Sequence, residues 1–135
     1  MVTSVLLAAA TVRLRAVHRV ALAADGFDVH QVERPDEIIS RLARVPVDAL
    51  VIDVTRAFGG SALLHQVARD AELPAVVLAL TPVNDPAVVH AALEAGASDY
   101  LPITVSADRV VAAVRRLTAG EGHDASSLSA IGESP

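Results

Sequence analysis

Short apolar runs alternate along this chain with longer stretches in which apolar residues recur every three or four positions. Val5-Leu6-Leu7-Ala8 lacks polar alternation and reads as a strand covered on both faces. From Val12 to Ala24, Leu14, Val17, Val20, Ala21 and Ala24 fall at helical spacing, and Gly26 supplies the C-terminal stop. Phe27 to Val32 is a shorter, weaker strand. Pro35-Asp36-Glu37 opens a second helix with acids at its positive end, and Ile38, Ile39, Leu42 and Val45 form its buried face. Ala49-Leu50-Val51-Ile52 is a second strong strand, ending at Asp53-Val54. Gly59-Gly60-Ser61 gives a turn and an N-cap before a helix carrying Leu63, Leu64, Val67 and Ala68. Pro74 introduces the strand Ala75 to Leu80. Asn84-Asp85-Pro86 begins a helix with Val88, Val89, Ala92 and Leu93 inward and Gly96 as its stop. Asp99-Tyr100-Leu101-Pro102 is a short last strand. Ser106 then caps a helix with Val110, Val111, Val114 and Leu117 on one face, stopped by Gly120.

The order is strand then helix, five times over, with short connections and no sequence repeat. Apolar strands separated by helices imply a parallel sheet covered on both sides. The expected fold is α/β, a flavodoxin-like doubly wound (βα)5 three-layer sandwich with strand order 2-1-3-4-5. It occupies residues 1–118, and the small, polar, turn-rich residues 119–135 read as a flexible tail or linker.

Composition narrows the chemistry. All 11 basic residues are Arg, so phosphate-binding and Schiff-base lysines are excluded. With no Cys there are no disulfides, thiolate nucleophiles or Cys-zinc sites. A net charge of -5, scattered Arg and 2% aromatic residues argue against nucleic-acid binding by this segment. Arg13 and Arg15 follow the N-terminal apolar run, the reverse of a secretory signal, and no run reaches the roughly 20 residues that span a bilayer. A cytoplasmic chain without membrane contact is expected. His18, His30, His65, His90 and His123 are far apart without zinc-like spacing, so no metal or cofactor is expected from them. Asp28-Val-His30 lacks the Gly of a cobalamin motif, and Ser61 lacks the pattern of a nucleophile elbow.

In an open doubly wound sheet, ligands bind at the carboxyl ends of the strands where the strand order reverses, here between the first and third. Ala8 to Thr11, Asp53 to Arg56, Thr81 (or Ala79) and Leu101 to Val105 converge there. No Gly-rich phosphate loop follows the first strand, which disfavours an unrelated cofactor-binding enzyme on this fold.

Over roughly residues 2–118 the chain resembles the receiver domain of bacterial response regulators, the phosphorelay modules of two-component systems. Asp48-Ala-Leu-Val-Ile-Asp53-Val54 is similar to the strand ending in the phosphoacceptor aspartate. Ala92-Leu-Glu-Ala-Gly-Ala-Ser-Asp-Tyr100-Leu is similar to the stretch carrying the switch aromatic, and Asp25-Gly26-Phe27-Asp28-Val29 to the turn into the second strand. The resemblance implies that Asp53 is the phosphoacceptor equivalent and that Thr81 and Tyr100 are the switch equivalents.

Two departures are chemical. The resemblance places a metal-holding acid pair at Ala9 and Ala10, and the first acid in the chain is Asp25. It places Lys-Pro at Ile103 and Thr104. The loop after Asp53 is also about one residue shorter than the family's. Phosphoryl transfer to a carboxylate rests on positioning and on cations that neutralise charge in transit. Mg2+ needs hard oxygen ligands. The chain therefore reads as an atypical receiver, non-enzymatic, regulating signal transduction or transcription without metal-dependent aspartyl phosphorylation. The alternative is a working receiver with Asp53 as phosphoacceptor. By sequence the cations nearest Asp53 are Arg13 and Arg56.

The resemblance also implies an output surface on the fourth helix, fifth strand and fifth helix. Asp99, Arg109, Arg115 and Arg116 are candidate contacts of a homodimer there, because mixed charges on one face suit a two-fold axis. Pro102 matches a residue common in the dimerising transcription-factor branch. Other expected partners are proteins: an output domain, a kinase or another regulator.

Overall fold

A computed structural model describes residues 2–120. The expected tail therefore lies almost wholly outside the described residues. Five strands, β1 (Ser4–Ala8), β2 (Asp28–Val32), β3 (Ala49–Asp53), β4 (Val76–Thr81) and β5 (Asp99–Pro102), alternate with five helices. These are α1 (Val12–Ala24), α2 (Asp36–Arg44), α3 (Ser61–Asp70), α4 (Pro86–Ala95) and α5 (Ala107–Thr118). The sheet is parallel throughout, with order β2-β1-β3-β4-β5, as the sequence predicts.

Alternation along each central strand divides the interior in two. Leu6, Ala8, Leu50, Ile52, Val77 and Ala79 pack with Ile38 of α2, Leu64 of α3 and Ala92 of α4. Val5, Leu7, Ala49, Val51, Leu78 and Leu80 pack with Leu22 of α1 and with Val110, Val114 and Leu117 of α5. Every residue of β3 and β4 is buried, which explains why these strands read as continuous apolar runs.

Helix α1 departs from the predicted face. Val17 and Val20 are about half exposed, at 49% and 57%, while Arg15, His18 and Leu22 are buried. Arg13, Arg15, His18 and Arg19 interrupt its apolar positions, so periodicity offers more than one stripe. Leu14 and Leu22 pack toward the sheet, and Val17, Val20, Ala23 and Ala24 face out. The cap preceding α3 also differs. Gly60 holds the N-cap position at φ 73, Ser61 is the first helical residue, and no side chain caps the turn. That backbone favours glycine. Ser106 stands at the N-cap of α5 without a side-chain cap bond. Asp85 does cap α4, accepting from Val88 N at 3.2 Å.

Candidate functional site

The strand order reverses between β1 and β3, so their carboxyl ends open a crevice. Asp53, the last residue of β3, lies there and is 3% exposed. A buried carboxylate requires donors, and the chain supplies them. Oδ1 accepts from Thr55 N at 2.8 Å and from Thr55 Oγ1 at 2.6 Å. Oδ2 accepts from Ala10 N at 3.2 Å. Thr55 therefore clamps one oxygen twice, through the local turn that a hydroxyl residue two positions after an Asp readily forms.

Ala9 is fully buried and Ala10 half-buried, so methyl groups stand where the resemblance places acids. The cation at this loop is neither Arg13 nor Arg56, both of which are exposed. It is Arg15, 7% exposed, whose Nη1 donates to Ala9 O at 2.6 Å and to Ala10 O at 3.1 Å. Its Nη2 reaches Glu33 Oε1 at 3.4 Å. Sequence reasoning missed Arg15, and it placed Thr55 at the site only as part of the loop after Asp53, without its two hydrogen bonds. A signal for Arg15 existed: Thr11 caps α1, and helical side chains lean toward the N-terminus, so an arginine in the first turn covers the preceding loop.

The remaining positions lie on β4, on β5 and in the loop after it. Thr81 ends β4 and is 2% exposed, but Leu80 is the residue in register with Asp53. Alternation assigns Thr81 to the face of Val77 and Ala79 and Asp53 to that of Ala49 and Val51. Among the described residues no hydrogen bond joins the Thr81 side chain to Asp53. Tyr100, in register with Ala79, is 40% exposed. Ile103 packs its side chain against the α1–α5 core and donates its N–H to Thr81 O at 2.7 Å; Thr104 is exposed.

On the α4–β5–α5 face, Arg116 Nη2 donates to Asp99 Oδ2 at 2.9 Å within the chain, and Arg116 Nε is buried without a partner. Arg115 pairs with Asp25 at the end of α1. Arg109 is exposed. Three of the four predicted interface charges, Asp99, Arg115 and Arg116, thus have intramolecular partners.

A doubly wound sheet with one buried acid at the end of its middle strand, beside the point of reversal, defines an α/β module of the flavodoxin-like class. Comparison with known proteins makes this specific. Residues 5–115 match the family model of the response regulator receiver domain, and the chain belongs to that family. Among solved structures it is similar to a response regulator from Thermotoga maritima, at 20% identity and TM-score 0.77, covering 88% of this chain and 99% of that one. A CheY-like receiver domain protein from Methanospirillum hungatei JF-1 gives 13% identity and TM-score 0.78, covering 90% and 97%. A chemotaxis response regulator of Vibrio cholerae gives 15% identity and TM-score 0.72, covering 87% and 99%. These likenesses show the fold. No curated protein matched the chain.

The residues present do not fit the divalent ion that the family resemblance implies. One carboxylate is available, and both its oxygens already accept hydrogen bonds from the chain. The carbonyls of Ala9 and Ala10 accept from a guanidinium, so the loop already faces a positive charge. No group of three His, Cys, Asp or Glu able to hold a metal occurs among the described residues. No helix among them is long and apolar enough to cross a membrane.

Proposed function

We propose that this receiver domain is a non-enzymatic module of signal transduction or transcription regulation that works through protein–protein contact, without metal-dependent phosphorylation of Asp53. The observation that carries this reading is the surroundings of Asp53, where chain donors meet both oxygens and the family's acid and ammonium positions hold Ala9, Ala10 and Ile103. A receiver acceptor needs a free oxygen for in-line attack and cations to stabilise the transferring group. Here Thr55 and Ala10 donate to both oxygens, and Ala9, Ala10 and Ile103 offer neither acid nor ammonium. The partner is an output domain, a kinase or another regulator, or a second copy of this chain on the α4–β5–α5 face. Leu93 and Tyr100 are exposed there, and Asp108 and Arg109 are exposed charges of α5 without an ion-pair partner among the described residues, whereas Asp99–Arg116 and Arg115–Asp25 pair internally.

The test is incubation with acetyl phosphate and Mg2+ followed by intact mass measurement. The expected result is no phosphoryl adduct. An adduct that disappears in Asp53→Asn overturns the reading and establishes the working receiver. As a positive control, Ala9→Asp with Ala10→Asp and Ile103→Lys is expected to create Mg2+ binding.

A further inference from the structure

A cleft of about 490 Å3 lies at the open edge of the sheet, between α1, the end of β2 and the start of α2. Three arginines line it: Arg15 from α1, buried, and Arg19 and Arg41 from α1 and α2, both half-buried. Arg19 and Arg41 have no acid within salt-bridge distance among the described residues. The two acids on the wall do not balance them. Glu37 Oε1 accepts from the backbone N–H groups of Glu33 and Arg34, both at 3.3 Å, so it is committed to the turn before α2. Glu33 is 68% exposed and reaches Arg15 only at 3.4 Å. Of the five N–H donors a guanidinium carries, three of Arg15's have partners among the described residues. Two half-buried arginines beyond salt-bridge distance of any acid among the described residues, gathered with a third around one concavity, suit a bidentate oxyanion.

We propose that this cleft binds a small oxyanion of at least two negative charges, a phosphate ester or a dicarboxylate, held by Arg19 and Arg41 and read by Arg15. The consequence follows from connectivity. Arg15 holds the carbonyls of Ala9 and Ala10, and Ala10 N–H in turn donates to Asp53 Oδ2. An anion that draws Arg15 away from Glu33 acts on the loop beside Asp53 from outside the crevice. The site stands apart from the question of phosphorylation at Asp53.

The test is amide chemical-shift titration of the 15N-labelled chain with sodium pyrophosphate and, separately, sodium succinate, at constant ionic strength without Mg2+. Saturable shifts are expected at Arg15, Glu33 and Ala10, and the probe that saturates at lower concentration identifies the oxyanion class. Arg19→Gln combined with Arg41→Gln, at half-buried positions outside the core, is expected to weaken binding by about tenfold or more. Glu33→Gln is expected to strengthen it several-fold, because Arg15 loses its competing acid. The proposal is overturned if neither probe saturates, or if affinity survives the double substitution.

Discussion

Replacing Asp53 by Asn tests the electrostatics of the crevice through the sign of the stability change. In a site with several acids, removing one charge relieves repulsion: two like charges ~5 Å apart at an effective dielectric near 20 repel by about 3 kcal/mol. Neutralising an acid in such a site is therefore stabilising. Here no second acid stands on the β1–α1 loop, and three donors converge on one buried carboxylate. The Asn oxygen can keep the two Thr55 bonds, but as neutral bonds. Its NH2 group then meets the Ala10 N–H, donor against donor. Bonds to a charged acceptor contribute about 1.5–3 kcal/mol and neutral ones about 0.5–1.5, so the substitution costs about 1–3 kcal/mol in total. For a domain of this size that lowers Tm by about 4–12 °C. The assay is urea and thermal unfolding followed by circular dichroism, and an unchanged m-value confirms that the folded and unfolded states compared are the same. A Tm that stays level or rises in Asp53→Asn refutes the account, because it means the carboxylate is repelled rather than held.

Two further outcomes are expected. Burial holds the His18 imidazole below its usual 6.5, so between that depressed value and 6.5 the unfolded chain binds more protons than the folded one. Its contribution is full above about pH 6.5 and is lost as pH falls; urea melts on both sides of this value are expected to show His18→Leu with a flatter acid limb, and an unchanged limb excludes His18 as the cause. Where the proposed partner is a second copy on the α4–β5–α5 face, sedimentation velocity shows a dimer that Arg109→Glu, at an exposed position outside the core, is expected to weaken without altering Tm, and a monomer at all concentrations removes the second copy as the partner.

The strands and their order were legible because central parallel strands must be apolar on both faces, and β1, β3 and β4 are. Asp53 was legible as a strand-end acid at the reversal of order. The face of α1 was not, since Val17 and Val20 obey the same periodicity as Leu14 and Ala21. Periodicity locates a helix, but on one rich in Ala and Val it does not say which stripe packs. The ion pairs were hidden for another reason. Asp99 and Arg116 stand on adjacent elements 17 residues apart, and Asp25 and Arg115 are separated by 90, so only the packed fold reveals that these charges meet. Thr81, at the end of β4, directly follows Leu80, the residue paired with Asp53, a register that the sequence alone does not fix.

The same logic explains how the crevice persists without the family's acid pair and lysine. An unpaired buried charge costs several kcal/mol, so a lone Asp53 must acquire partners or lose its charge. Thr55 supplies two from the same turn, and the Ala10 amide supplies a third only if the β1–α1 loop keeps its position. That loop is held by Arg15, whose guanidinium bridges the carbonyls of Ala9 and Ala10. A divalent ion placed between separate carboxylates can come and go, whereas a covalently attached guanidinium stays. The loop's geometry thus depends on what competes for Arg15, and its competitor in the fold is Glu33, an exposed acid at 3.4 Å on the rim of the arginine-lined cleft. The oxyanion proposed for that cleft would therefore reach the crevice through Arg15 and the loop it holds, not through Asp53 directly.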